Sequence, residues 1–186
     1  NNGTISDSKS ALVQSDGDIV DTDGTSLVSF NVANSGNYYV SVRHRNHLGV
    51  MTKAPIALST TGTVVDFRKV STPTYTVSDL AINVAQVTVN QGVAMWAGNT
   101  LSISDKNVIF QGTGNDVNPI YLQVATSPTN VIKTPFHIYK NYNTSDVNMD
   151  GNVVFQGTTN DVNFIFQNVT VNHQGNSLKV PFFIIK

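Results

Sequence analysis

Asp146, Asn148 and Asp150 place an oxygen-bearing side chain at every second position of the stretch DVNMDG, and Gly151 closes it. Oxygens at alternate positions of a tight turn can converge on one point, which is what a hard divalent cation needs. The stretch matches the opening of the calcium-loop pattern D-x-[DN]-x-[DN]-G. Asp146, Asn148 and Asp150 are therefore expected to offer side-chain oxygens to Ca2+, and Asn152 its backbone carbonyl. Position twelve of the usual loop holds Gly157 instead of a Glu, so the closing carboxylate must come from further on. Asp161 is the nearest, and it reaches the loop if VVFQG carries the chain away and TTND returns it. The competing reading is an Asx-turn cluster without metal, since Asp, Asn and Gly populate turns for their own reasons.

An earlier copy accompanies this loop. VIFQGTGNDVNPIYLQV (108–124) agrees with VVFQGTTNDVNFIFQNV (153–169) at 11 of 17 positions, and KTPFHIYK (133–140) parallels KVPFFIIK (179–186). A repeat of about 45 residues is long enough for a supersecondary unit, and two copies must pack on each other or on the preceding part. At the offset of 45, Asp105, Asn107 and Asp116 correspond to Asp150, Asn152 and Asp161. Leu101 and Ile103 fall where Asp146 and Asn148 would stand, and Asn99 is a substitute only through a longer loop. A working first site and a degenerate copy held by packing both remain open.

The elements that position these residues read as strands and turns. All twelve acidic residues are Asp and none is Glu, which favours turns, caps and metal loops over helices. It also removes Glu-based acid–base arrangements. Strands are expected over 10–15, 25–32, 37–45, 55–59, 63–70 and 80–90. The last changes phase near Ala85–Gln86, as at a bulge. Helix is expected only as a turn or two after Asp116 and Asp161. The predicted fold is all-β: a β-sandwich-like part over 1–95, then two tandem calcium-loop and strand repeats over 96–140 and 141–186, with short helical turns.

Composition narrows the function classes. A net charge of −1 gives no basic surface for nucleic acid or an acidic membrane. No apolar run approaches the roughly 20 residues that span a bilayer. Cysteine is absent, so neither disulfides nor thiol chemistry operate, and bound metal is the available staple. No GxSxG elbow and no phosphate loop occurs, so no enzyme is expected. The RHRNH string (43–47) invites a transition-metal reading of His44 and His47, but residues three apart on one strand point to opposite faces. Hydrogen bonding to neighbouring loops is the preferred reading. Asp16, Asp18, Asp21 and Asp23 read as an exposed hairpin tip rather than a further calcium site.

GNYYVSVRHRNHLGVMT, MWAG and DVNMDG…FQGTTNDVN together resemble a C-terminal module of large secreted bacterial surface proteins of the adhesin and hemagglutinin kind. Such proteins leave the cell by a dedicated outer-membrane route and carry dockerin-like calcium loops. The resemblance implies an extracellular, calcium-stabilised β module without catalysis, with Asp146, Asn148, Asp150 and Asp161 as matching ligands. The first loop departs from it, having NTLSIS after WAG, and so does the ending KVPFFIIK.

That ending leads to the partners. Val180, Phe182, Phe183, Ile184 and Ile185 form an apolar run without the alternation of a half-exposed strand, so both faces want cover. A central place in the chain's own sheet would supply it, or strand addition to another copy or another surface protein. The alternative class is a carbohydrate-binding accessory module, with Tyr38, Tyr39, Trp96, Tyr121, Tyr139 and Tyr142 available as a platform for a glycan.

Overall fold

The computed structural model describes residues 4–31, 36–76, 85–101, 107–173 and 177–179. Its contacts divide into two units. One takes the described residues up to Asn37 together with Ala57–Thr63. The other takes Tyr38–Ile56 and the described residues from Val64 onward, so the cut expected at residue 95 falls inside it.

In the smaller unit, β1 (Leu12–Val13) pairs antiparallel with β2 (Ile19–Val20). The acidic turns between and after them are Asx turns. Asp16 Oδ1 accepts from Asp18 N at 3.0 Å, and Asp23 Oδ1 accepts from Thr25 N and Ser26 N at 2.9 and 2.8 Å. These carboxylates turn the chain, the role Asp side chains play wherever a backbone N–H lies two or three residues ahead.

The expected strand over 37–45 is broken in two: β3 (Gly36–Tyr38) and β4 (Ser41–His44). The chain then reverses through Arg45–Asn46 into β5 (His47–Met51), with His44 opposite His47. Val42 pairs with Val50, so Leu48 and Gly49 oppose Arg43 alone, which is a β-bulge. β6 (Ile56–Leu58) pairs with β3. The strand expected over 63–70 is absent: 67–72 is a run of turns, with Asp66 Oδ1 accepting from Arg68 N and Nε at 3.0 Å each. β7 (Val87–Val89) and β8 (Gly92–Ala94) form a hairpin. The expected phase change falls partly on residues outside the described set.

The remaining elements come as β9 (Asn107–Ile109), α1 (Val117–Thr126), β10 (Ile138–Lys140), β11 (Asn152–Val154) and α2 (Asp161–Phe166). A π-helical turn (Gln167–Asn172) and β12 (Ser177–Lys179) follow. Both helices begin where short helical turns were expected, and α1 runs longer. Asn160 Oδ1 accepts from Asn163 N at 2.8 Å and caps α2, while Pro119 sits harmlessly in the first turn of α1 and Pro128 ends it.

The protein is predominantly β with few helices, in small antiparallel sheets. Among the described residues every sheet is two-stranded, so the sandwich expected over 1–95 is not seen. Strands of two to five residues are too short to stack as broad layers. Pairing crosses the sequence copies. β10, which ends the first copy, pairs with β11 of the second, and β12 near the end of the second pairs with β9 of the first. The core gathers equivalent residues from both: Val108 with Val153, Ile120 with Ile165, Val124 with Val169, joined by Leu48, Trp96 and Val147. Each such side chain removed from water contributes about 1.5–3 kcal/mol.

Candidate metal centre

The loop between β10 and β11 is closed at its base by Asn141 N donating to Gly151 O at 3.0 Å. Inside it, Asp146 is fully buried. Its Oδ1 accepts from Asp150 N at 3.1 Å and its Oδ2 from Gly151 N at 3.2 Å, so the chain winds around this carboxylate. Asn148 Oδ1 accepts from Asp150 N at 3.0 Å, and Asp150 Oδ1 from Asn152 N at 2.8 Å. The turn needs two left-handed residues, Met149 at φ 61° and Gly151 at φ 83°. The glycine pays no steric penalty there, whereas Met149 is strained.

Asp161 does return to the loop, carried by the first residue of α2. It is fully buried, with Oδ1 accepting from Val147 N at 2.6 Å and Asn148 N at 3.3 Å, and Oδ2 from Val154 N at 2.8 Å. One carboxylate thus ties together the loop, β11 and α2. Burial pushes its pKa up to about 6 against three backbone donors that pull it down, and the Asp146 charge adds to the rise. Asp146 is also raised by burial, with Arg45 opposing.

Of the expected second-loop ligands, Asp146, Asn148, Asp150 and Asp161 are neighbours, and Asn152 opens β11 opposite Lys140. Among the described residues no three His or Asp side chains converge on one point: the carboxylates of this loop face backbone N–H groups. The donors are nonetheless all oxygen, and both Asp146 carboxylate oxygens and Asp161 Oδ2 each retain a lone pair beyond a single backbone bond. Of the two buried carboxylates beside the exposed Asp150, Asp146 has Arg45 as a cationic neighbour, which leaves negative charge for a hard cation to balance. The residues present therefore fit Ca2+.

In the first copy, Asp105 lies outside the described residues. Asn107 opens β9 opposite Lys179. Asp116, buried like Asp161, repeats its hydrogen bonding: Oδ1 accepts from Thr100 N at 2.8 Å and Leu101 N at 3.3 Å, Oδ2 from Ile109 N at 2.8 Å. Burial raises its pKa against these donors. Thr100 and Leu101 stand in the places of Val147 and Asn148, which aligns buried Asn99, not Leu101, with Asp146. An amide thus replaces the wound carboxylate.

No family model, curated protein or solved structure matches this chain.

Sequence reasoning missed the Arg45–Asn46 turn. Asn46 is fully buried; its Nδ2 donates to Asp146 O at 2.5 Å, and its carbonyl accepts from Gly98 N and Asn99 N at 2.9 and 3.0 Å. One residue thereby holds the corresponding corners of both copies. Arg45 Nε donates to Asn143 O at 2.9 Å, Nη2 lies 3.7 Å from Asp146 Oδ2, and the guanidinium stacks 3.6 Å over the Tyr142 ring. The signal was the polar string RHRNH itself, which lacks the Gly that usually advertises a two-residue hairpin.

His44 and His47 do not point to the opposite faces that their spacing on one strand predicted. That expectation assumed one continuous strand, but the reversal makes them cross-strand partners on one face, with Nδ1 atoms 2.9 Å apart. Trp96 is in the core and Tyr139 packs against it, while Tyr39, Tyr121 and Tyr142 are exposed. Val180, Phe182, Phe183, Ile184 and Ile185 lie outside the described residues. Among the described residues no helix is long and apolar enough to cross a membrane.

Proposed function

We propose that this chain is a non-enzymatic, extracellular structural module stabilised by Ca2+, acting as a self-assembling surface or filament subunit or as part of an adhesin. The observation that carries the calcium reading is the pair Asp146 and Asp161, two buried carboxylates whose ionised forms burial opposes. Asp146, Asn148, Asp150, Asp161 and the carbonyl of Asn152 would hold the ion. Bound, it supplies charge neutralisation and a cross-link between β11, α2 and the loop. The extracellular setting and the surface role rest on the sequence resemblance. Self-association rests on the apolar run Val180–Ile185, which would add as a strand to a neighbouring copy.

The test is thermal unfolding with calcium and with chelator. A ligand that binds the folded state alone adds about 2.7 kcal/mol at a hundredfold excess over its Kd. For a chain of this size that raises Tm by roughly 5–10 °C. Asp146→Ala is expected to abolish the difference. Identical melts for the parent protein in calcium and chelator overturn the reading.

A further inference from the structure

The His44–His47 pair belongs to no part of the calcium loop, and its surroundings pose a proton-counting problem. Asn46 Nδ2 is committed to Asp146 O, which turns Asn46 Oδ1 toward His47 Nδ1 at 2.7 Å. His44 Nδ1 lies 2.9 Å from the same His47 nitrogen, with the rings edge-on at 73°. On the far side of His44, Arg45 Nη1 stands 3.2 Å from Nε2 and can only donate.

A neutral imidazole carries one N–H. If His44 Nε2 accepts from Arg45, its proton is on Nδ1 and goes to His47 Nδ1. That nitrogen then presents a lone pair to the Asn46 oxygen. If His47 Nδ1 instead donates to Asn46, His44 Nδ1 must accept and its Nε2 proton meets Arg45. Either placement leaves one contact between like partners. Burial, first of all, and then neighbouring cationic or imidazole groups push both rings down, His47 to about 3, so both are in the neutral form that ligates metal. Three acceptor atoms therefore gather around a single proton.

We propose that His44 Nδ1, His47 Nδ1 and Asn46 Oδ1 form a transition-metal site selective for Cu2+ or Ni2+. Metal–nitrogen bonds of about 2.0–2.1 Å across a 2.9 Å separation subtend roughly 90° at the ion. That is the angle between neighbouring ligands of a tetragonal or octahedral ion; a tetrahedral one needs the nitrogens roughly 3.3 Å apart. On binding, the ion replaces the shared proton, His44 Nε2 carries its ring's N–H, and Arg45 Nη1 gives way. Arg45 remains anchored through Nε to Asn143 O and over Tyr142, with Asp146 offsetting its charge. The donor set is nitrogen-rich where the neighbouring loop is all oxygen, so this site stands whether or not the calcium reading does.

The test is calorimetric titration of the whole chain with CuCl2, NiCl2 and ZnCl2 in excess CaCl2, with Cu2+ electron paramagnetic resonance alongside. One equivalent of Cu2+ with splitting from two nitrogens is expected, with Zn2+ at least tenfold weaker. His44→Ala and His44→Gln are each expected to weaken Cu2+ at least tenfold while the melting temperature stays within a few degrees. His137→Ala is expected to change nothing. Undiminished Cu2+ affinity in either folded His44 variant, or no stoichiometric Cu2+ binding by the parent chain, overturns the proposal.

Discussion

Asp116 and Asp161 show how much one side chain can organise when it is buried against backbone donors. Each accepts from three main-chain N–H groups drawn from two segments of chain. Hydrogen bonds to a charged acceptor are worth about 1.5–3 kcal/mol each, and orphaned buried donors keep their desolvation cost. Asp116→Ala is therefore expected to destabilise the protein by about 4 kcal/mol or more, equally in calcium and in chelator, as read from denaturant unfolding. Asp146→Ala is expected to cost most of its effect only with calcium present. Asp23 offers a separate check on the Asx turns. The Ser26 hydroxyl, first, and two backbone donors hold its pKa at about 2, below the ordinary 3.8. Because the folded value is the depressed one, this contribution is present above pH 3.8 and fades as pH falls through about 2. A carboxyl NMR titration is expected to show that midpoint, and Ser26→Ala to move it upward.

Among the elements, the exchange of β10 and β12 between the sequence copies explains why neither copy is closed by itself. Each strand that follows a loop finds its partner in the other copy's end strand. Gly98 sits where the copies meet. A Cβ there would lie 2.9 Å from Val108 Cγ1 and 3.0 Å from Ile165 Cγ1, one residue from β9 and one from α2, with φ at +123°. Gly98→Ala is expected to cost about 2–3 kcal/mol from overpacking and backbone strain together. Gly112 has a similar φ of +104° but open space around it, so Gly112→Ala is expected to cost about 1–2 kcal/mol for strain alone. Comparing the two unfolding free energies separates packing from backbone conformation. At this scale the sequence was partly legible. The helical turns expected after Asp116 and Asp161 fall where α1 and α2 begin. The strand over 37–45 was expected unbroken because the period-two pattern runs on through Tyr39 and Val40, where the structure breaks it, and RHRNH carries no Gly to advertise the reversal at Arg45–Asn46.

For the whole molecule, the proposed strand addition predicts that deleting residues 180–186 leaves the calcium-dependent melt in place but abolishes assembly seen by electron microscopy. Unchanged fibres would remove the apolar run from the account. The turn over 146–151 was legible because its Asp and Asn residues are neighbours in sequence, so their spacing alone brings them together. The same holds for the absence of Glu and Cys, which removed whole classes of chemistry before any fold was known. What only the tertiary structure decided is which distant groups face that loop. Asn46 bonds a carbonyl 100 residues away, and Arg45 a carbonyl 98 residues away. The fold also brings Asp161 back to the N–H of Val147, 14 residues earlier. Such contacts are set by how strands pair and cores close, and periodicity carries no information on pairing across that distance. The sequence by itself determined the chemistry available at one turn; the packing of both copies around Asn46 decided what surrounds it.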